Sequence, residues 1–419
     1  MHMNKKREID LKLRFPEFQG NDIDFLHGNR LFESITNKNH NSDVPVLAIT
    51  QNQGAVPRDQ IEYNVTVTDK SLSNYKVVEV GDFIISLRSF QGGIEYSRFK
   101  GICSPAYIIL RKREESISEL YYRYYFKTWK YIQSLNRNLE GIRDGKMISY
   151  SQFSAIKIPY PRLFKEQQKI ADCLSSIDEL IDAENRKLEA LKKHKKGLMQ
   201  KLFPAEGKKM PEWRFPEFQG HREWQESTIA KVTSYVDYRG KTPVKSKEGI
   251  FLITAKNIKM GYIDYNISKE YIPKDQYLAI MSRGIPQLGD VLITTEAPCG
   301  NVAQIDKVDV ALAQRVIKYR GNKHKINNTF LKYVFLSPVF QRELKKNSTG
   351  GIVGGIKGSV LHQMSIKFPV DIIEQQKIAD CLTETDTMIK EQTNKVEQLK
   401  AHKKGLMQGL FPSLEEEDV

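Results

Sequence analysis

Cysteine is scarce in this sequence, and long apolar segments are missing. Only four cysteines occur in 419 residues, and no two of them have the C-x-x-C spacing of a metal or redox site. No run of about 18 apolar residues is present, which excludes a membrane-spanning helix. The first residues, MHMNKKREIDLK, lack the apolar core of a secretory signal. These features predict a cytoplasmic protein with reduced thiols and no membrane partner.

Motifs of common enzyme classes are also missing. The sequence contains no G-x-x-x-x-G-K-S/T phosphate loop and no H-E-x-x-H zinc site, and its eight histidines form no cluster of ligands. No glycine-rich turn is followed by an N/D-P-P-Y/F tetrapeptide, so an adenine methyltransferase site is not expected. The sequence therefore predicts a chain without catalytic residues and without a metal site.

The net charge is positive, with a moderate excess. Lysine and arginine total 65 against 51 acidic residues, which gives a net charge of +14. An excess of this sign favours a polyanionic partner, most often nucleic acid. An enzyme without such a partner could carry the same excess.

An internal duplication organises the chain. Residues 166–204 begin EQQKIADCL and end GLMQKLFP, and residues 374–412 repeat the segment 208 positions later with 25 of 39 residues identical. RFPEFQG occurs before each copy, at 14–20 and 214–220. The stretches between these blocks share little beyond a Gly-Asp-x-x-Ile motif, at Gly81 and Gly289. We interpret this as one fold used twice with different surfaces.

Each EQQKIAD block has the pattern of a long helix. Apolar residues alternate at spacings of three and four over about five heptads, as in a coiled-coil seam. Lys195 and Lys403 interrupt the seam, and proline follows Leu202-Phe203 and Leu410-Phe411. About 37 residues at 1.5 Å per residue predict a rod of roughly 55 Å. We expect the two copies to pack on each other; the alternative is that each seam faces another subunit.

The paired EQQKIAD and GLMQ-x-LFP blocks, with the Gly-Asp-x-x-Ile motifs, resemble the specificity subunit of type I restriction–modification systems over essentially the whole chain. The resemblance implies that each variable domain is a target recognition domain for one half of a bipartite site in double-stranded DNA. It also implies two methyltransferase subunits and motor–nuclease restriction subunits as partners. S-adenosylmethionine, ATP and Mg are then expected on those partners, and no cofactor is expected on this chain.

The expected fold class is α/β (mixed α+β), with two similar globular domains separated by two long antiparallel coiled-coil helices in a pseudo-two-fold repeat. The predicted boundaries are 1–162 and 211–371 for the recognition domains, 163–210 and 372–412 for the helices, and 413–419 for an acidic tail. Because the two domains differ in sequence, we expect an asymmetric DNA site.

Candidate DNA contacts are donors and acceptors on loops, because such side chains read base edges. They are Gln51, Gln53, Arg88, Ser89, Gln91, Arg143 and Lys146 in the first domain, and Arg239, Lys241, Thr242, Lys256, Asn257, Arg315 and Lys357 in the second. Arg143, Lys146 and Lys357 are expected to contact phosphates. The alternative for each residue is a solvated loop position or, for the basic ones, a phosphate rather than a base contact.

Two other functions are compatible with parts of the pattern. A self-sufficient DNA enzyme with its own recognition domains would need catalytic motifs that are missing. A pure coiled-coil scaffold would not need the basic charge or the large duplicated domains. For the basic clusters 192–196 and 402–404 we expect solvated or helix-capping roles rather than base reading, with the stems of Lys195 and Lys403 packed on the seam and their charges in water. The alternative for these clusters is a contact with phosphate or with a methyltransferase subunit.

Overall fold

The computed structural model describes residues 9–40, 43–61, 72–137, 148–238, 243–349 and 354–414. It contains two compact units. Unit 1 comprises residues 1–185 and 394–419, and unit 2 comprises residues 186–393. Each unit therefore contains one recognition domain and one half of each long helix.

Unit 1 is built around a four-stranded antiparallel sheet in the order β3-β10-β7-β8, with the pairs β4-β5, β6-β9, β2-β11 and β1-β21 beside it. Its strands are β1 Ile9–Asp10, β2 Ile23–His27, β3 Phe32–Ile35, β4 Leu47–Thr50, β5 Gly54–Pro57, β6 Lys76–Val78, β7 Phe83–Ile85, β8 Glu95–Tyr96, β9 Gly101–Cys103, β10 Ile108–Lys112, β11 Lys157–Pro161 and, near the end of the chain, β21 Ser413–Leu414. Its short helices are α1 Gly28–Leu31, α2 Ser89–Gly92, α3 Glu119–Tyr125, α4 Trp129–Arg137 and α5 Tyr150–Ala155.

Unit 2 repeats the same plan. Its four-stranded sheet has the order β13-β19-β16-β17, and a three-stranded sheet, β15-β14-β18, is added beside it. The strands are β12 Gln225–Thr228, β13 Thr233–Asp237, β14 Ile250–Ile253, β15 Tyr271–Ile272, β16 Val291–Thr294, β17 Val302–Gln304, β18 Val310–Leu312, β19 Val316–Gly321 and β20 Ser365–Phe368. The short helices are α7 Ile229–Val232, α8 Tyr277–Ile280, α9 Asn328–Leu336, α10 Pro338–Lys346 and α11 Gly358–Gln363. The predicted mixed α/β repeat is confirmed.

The long helices are α6, Phe164–Leu202, and α12, Ile372–Leu410. Both end two residues before a proline, as the sequence pattern predicts. In unit 1 the start of α6 packs with the end of α12, since Ile170 and Leu174 share a core with Leu410. In unit 2 the end of α6 packs with the start of α12 through Leu202 and Leu382. The two helices are therefore antiparallel within each unit.

The repeated Gln167 fastens the recognition domain to α6. Its side-chain oxygen accepts a hydrogen bond from the Ser118 backbone N–H at 2.9 Å, and its amide donates to the carbonyls of Ser116 and Pro161. Gln375 repeats this arrangement with the backbone of Asn327, Lys325 and Pro369. The EQQ motif thus joins each domain to its long helix through a buried amide whose oxygen accepts one hydrogen bond and whose NH2 group donates two.

The Gly-Asp motif anchors an inner strand of each main sheet. Gly81 has a φ of 97°, which only glycine adopts readily. The next residue, Asp82, is buried and accepts two hydrogen bonds from Arg111 at 2.7 and 2.8 Å. Asp290 and Arg320 repeat the pair in unit 2 at 2.6 and 2.7 Å. The motif turns the chain into β7 and β16 and holds the loop to the neighbouring strand.

The stretches Val77–Leu87 and Val310–Tyr319 each have the sequence pattern of one strand, and the structure interrupts both. The expected strand Val77–Leu87 splits at the Gly81 turn into β6 and β7. The expected strand Val310–Tyr319 splits into β18 and β19, because Arg315 between them has a φ of 69°. This conformation stops a ladder of extended residues.

Candidate nucleic-acid interface

Two predicted contact segments of unit 1 lie side by side. Gln51, Asn52 and Gln53 form the exposed turn between β4 and β5, and Arg88 and Gln91 lie at the exposed start and middle of the segment after β7. The Gln51 amide donates to the Arg88 carbonyl at 3.5 Å. Four predicted residues from distant parts of the sequence, Gln51, Gln53, Arg88 and Gln91, thus share one surface.

Lys127 supports this surface from beneath. Its ammonium donates to the Gly92 carbonyl at 2.9 Å and to Glu95 Oε1 at 2.5 Å. Burial raises the pKa of Glu95 and lowers that of Lys127, and the attraction between them opposes both shifts. Sequence reasoning missed this pair because its role depends on contacts between strand β8 and the chain after α3.

Ser89 corrects one prediction. Its side chain is buried, with 1% of the residue exposed, and its hydroxyl accepts a hydrogen bond from the Ser86 backbone N–H at 2.9 Å. A hydroxyl in this position stabilises the turn after β7. The structure therefore places Ser89 inside the fold and not on the exposed surface of the loop.

In unit 2, several loops meet at the ends of β14, β16 and β18. The Asn301 amide donates to the Ile258 carbonyl at 2.8 Å, which joins the loop after β16 to the loop after β14. The Thr295 N–H donates to the Arg315 carbonyl, and the Ile356 N–H donates to the Thr295 carbonyl, both at 2.9 Å. These bonds bring the predicted residues Lys256, Arg315 and Lys357 to the same end of the unit.

The side chains at this end are exposed and mostly basic. Lys256, Arg315 and Lys357 are all exposed. Arg315 Nε lies 3.2 Å from Glu296 Oε1, a carboxylate that the sequence analysis did not single out. Gln314, the neighbour of Arg315 in the sequence, is half-buried. The cluster supplies hydrogen-bond donors of the type that bind phosphates and purine edges.

Asn257 corrects a second prediction. It is fully buried, and its oxygen accepts hydrogen bonds from the backbone and hydroxyl of Thr254. Its amide donates to the carbonyls of Asp264 and Ile267. All of its hydrogen-bonding capacity is used to shape the loop, whereas the neighbouring Lys256 is exposed.

Five predicted contacts lie outside the residues that the structure describes: Arg143, Lys146, Arg239, Lys241 and Thr242. The described residue before the last group, Tyr238, is buried and donates its hydroxyl to the Gly284 carbonyl. For these five side chains, as for the described candidates, a DNA contact stays a prediction.

The described ranges contain no group of three or more histidine, cysteine or acidic side chains that could hold a metal ion. Within them, no helix combines the length and apolarity needed to cross a bilayer.

The lysines of the coiled-coil seam differ from the prediction. Lys195 and Lys403 bind Asp386 and Asp178 on the opposite helix rather than placing their charges in water.

Known proteins match this chain over most of its length. A family model described as the type I restriction modification DNA specificity domain matches twice, at residues 18–193 and 221–401. The type I restriction enzyme MjaVIII specificity subunit of Methanocaldococcus jannaschii is 28% identical over 361 residues, covering 82% of this chain and 80% of the relative. The putative MjaX specificity subunit of the same organism is 27% identical over 316 residues, covering 72% and 69%.

Solved structures share the fold. The S subunit of a type I restriction–modification system from M. genitalium superposes with a TM-score of 0.58 at 14% identity, covering 96% of this chain and 99% of that one. A chain from a study of assembly and conformational transition of the type I R-M system gives a TM-score of 0.55 at 15% identity, covering 93% and 97%. No comparison supports the alternative of a self-sufficient enzyme. The duplicated domains, the shared long helices and the two family matches show that this chain belongs to the DNA specificity subunits of type I restriction–modification systems.

Proposed function

We propose that this chain recognises a bipartite, asymmetric sequence in double-stranded DNA, with one half read by each unit. The observation that carries this proposal is the repetition of one fold with different exposed loops. Arg88 and Gln91 follow β7 in unit 1, whereas Glu296–Asn301 follow the equivalent β16 in unit 2. Because different donors and acceptors read different bases, the two halves of the site differ.

The long helices are the proposed spacer. Each is a continuous helix of 39 residues that belongs to unit 1 for one half of its length and to unit 2 for the other. At 1.5 Å per residue this corresponds to about 58 Å of helix. DNA presents the same face about every 34–36 Å. A gap of fixed length between two short half-sites is the expected consequence.

The partners in this proposal are two methyltransferase subunits and the restriction subunits. Those subunits bind S-adenosylmethionine, ATP and Mg, and this chain binds DNA without catalysing a reaction. Two observations support a role for this chain in a larger complex. The relatives are named as specificity subunits, and one of the similar solved chains comes from a study of complex assembly. The complex acts on DNA in the cytoplasm.

Methylome sequencing tests the proposal. A methylation-free host that expresses this chain with its methyltransferase subunits should acquire one asymmetric, bipartite adenine-methylated motif with a single gap length. Exchanging residues 221–370 for those of a relative should change one half-site and leave the other half-site and the gap as they were. A palindromic motif, or methyl transfer by the purified chain alone with S-adenosylmethionine, would contradict the proposal.

A further inference from the structure

In unit 1 a single carboxylate connects three elements. Asp178 on α6 accepts a hydrogen bond from the ammonium of Lys403 on α12 at 2.5 Å. Its other oxygen accepts from the hydroxyl of Tyr124, on domain helix α3, at 2.8 Å. The Lys403 ammonium also lies 5.1 Å from the centre of the Tyr124 ring, within cation–π range.

Unit 2 contains the same three groups. Asp386 on α12 lies 2.5 Å from the ammonium of Lys195 on α6 and accepts a hydrogen bond from the Tyr333 hydroxyl at 2.8 Å. Lys195 lies 5.9 Å from the centre of the Tyr333 ring. The arrangement therefore occurs twice although the two domains have diverged. We call these two sets the Lys–Asp–Tyr triads.

The triads define one register of the helix pair. Asp178 and Lys195 are 17 positions apart on α6, and Asp386 and Lys403 are 17 positions apart on α12. Each aspartate therefore meets the lysine of the other helix only at a single antiparallel alignment. Leucine and isoleucine contacts can re-form after a shift of one heptad, whereas these ion pairs cannot.

Stability alone does not explain lysine at a seam position. Lys195 and Lys403 occupy places in the heptad pattern where leucine or isoleucine would pack. Replacing a partly buried ion pair by apolar residues is often neutral or stabilising, and a polar seam residue is best known for fixing register. The tyrosines add a connection that a helix pair alone would not require, because each comes from the recognition domain.

We propose that the two Lys–Asp–Tyr triads are positioning residues for DNA specificity, which hold each recognition domain at one register on the helix pair and so keep the gap of the DNA site at a single length. This inference rests on the proposed function. It assigns to the triads a role in the spacing of the half-sites and none in the reading of bases.

The test compares a seam variant with a matched surface variant. In the complete methyltransferase complex, Lys195→Met with Lys403→Met should leave both half-sites unchanged but allow methylation at gaps one base pair shorter or longer. The preference for the native gap should fall by about ten-fold or more, measured by methylomes and by binding to oligonucleotides of each gap. Lys196→Met with Lys404→Met, which alters the adjacent exposed lysines, should keep one gap.

Two further variants complete the design. The charge exchange Asp178→Lys with Lys403→Asp, together with Lys195→Asp and Asp386→Lys, should restore a single gap. If the methionine variant does not assemble, Tyr124→Phe with Tyr333→Phe removes only the hydroxyl bonds and should broaden the gap by itself. A folded variant without triads that keeps one gap would overturn the inference, whereas a wild-type complex without a bipartite motif would overturn the proposed function instead.

Discussion

The guanidinium of Arg14 binds the buried carboxylate of Glu166 through two hydrogen bonds of 2.7 and 2.9 Å, although the residues are 152 positions apart. Arg214 and Glu374 repeat the pair at 2.7 and 2.5 Å. The arginine opens RFPEFQG and the glutamate opens EQQKIAD, so the two repeated motifs are halves of one contact. This explains why both motifs occur twice in the same order.

Arg214→Ala should destabilise unit 2 strongly. The substitution leaves the fully buried carboxylate of Glu374 without its cation, and breaking a buried pair in this way typically costs about 3–5 kcal/mol. Urea unfolding followed by the fluorescence of Trp224, which is buried in the same unit, measures the loss. Arg222→Ala removes an exposed arginine nearby and should change the free energy of unfolding by less than about 0.5 kcal/mol.

Gln167→Glu should also be destabilising, although it replaces only the side-chain NH2 group by an oxygen. A carboxylate cannot donate to the carbonyls of Ser116 and Pro161, and burying it unpaired costs about 2–4 kcal/mol. The neighbouring exposed Gln168→Glu is the matched control and should be nearly neutral. Equal melting temperatures for the two variants would show that the buried amide does not fasten the domain to α6.

Lys332 should make the free energy of unfolding of unit 2 depend on pH. Burial lowers its pKa from 10.5 to about 8, while the charge of Asp386 opposes the shift. Because the unfolded chain holds this proton more tightly, its contribution opposes folding in full below pH 8 and fades as the pH rises towards 10.5. Lys332→Met should therefore stabilise the protein by about 1–2 kcal/mol at pH 7, after loss of the cation–π contact with Tyr333.

The pH profile distinguishes this cause from simple packing. The gain from Lys332→Met should shrink between pH 8 and pH 10, as measured by urea unfolding at each pH. Lys390→Met, at an exposed position of α12, should shift stability by the same small amount at every pH. A gain for Lys332→Met that does not vary with pH would contradict the assignment.

Lys357 should contribute to DNA affinity through its charge, and Arg88 through a base contact as well. Removing one phosphate contact with Lys357→Ala should weaken binding to all sequences and lower the slope of log affinity against log salt by about 1. Arg88→Ala should weaken binding to the specific site more than binding to unrelated DNA, because Arg88 is a predicted base contact. Fluorescence anisotropy at several salt concentrations measures both. The exposed Lys390→Met, on the helix, should leave the slope unchanged.

Lengthening both long helices should lengthen the DNA gap. Seven residues inserted after Asn185 and seven after Thr393, at the boundary between the units, keep the heptad phase and add about 10 Å. This is about three base pairs at 3.4 Å each. The methylome should retain both half-sites with a longer gap. A variant that methylates the original spacing would contradict the spacer role of the helices.

The bounds of the long helices could be predicted closely, because the apolar spacing and the terminal proline that define them are local in the sequence and occur twice. The expected block at 166–204 compares with an observed helix at Phe164–Leu202, and the prolines explain where each helix ends. The strands were less predictable. Val310–Tyr319 is mostly apolar, but its break at Arg315 depends on a backbone conformation that residue types do not reveal.

The candidate site shows the same division. Residue type and loop position identified Arg88, Gln91 and Lys357 as exposed donors. The same reasoning selected Ser89 and Asn257, whose side chains are buried, because residue type does not report the direction in which a side chain points. Lys127 was missed for the opposite reason: its function depends on carbonyls and a carboxylate that only the folded chain brings together.

Unit 1 is built from two separate stretches of sequence and unit 2 from one, and this difference has a consequence for synthesis on the ribosome. Unit 2 is one uninterrupted stretch, so all of its contacts are available once Thr393 has emerged. The amino-terminal domain, although translated first, needs Leu410 and Phe411 to complete the core that contains Tyr121 and Tyr125. The part made first is therefore completed last, and a nascent chain that stalls near its end leaves the amino-terminal half exposed to chaperones and proteases.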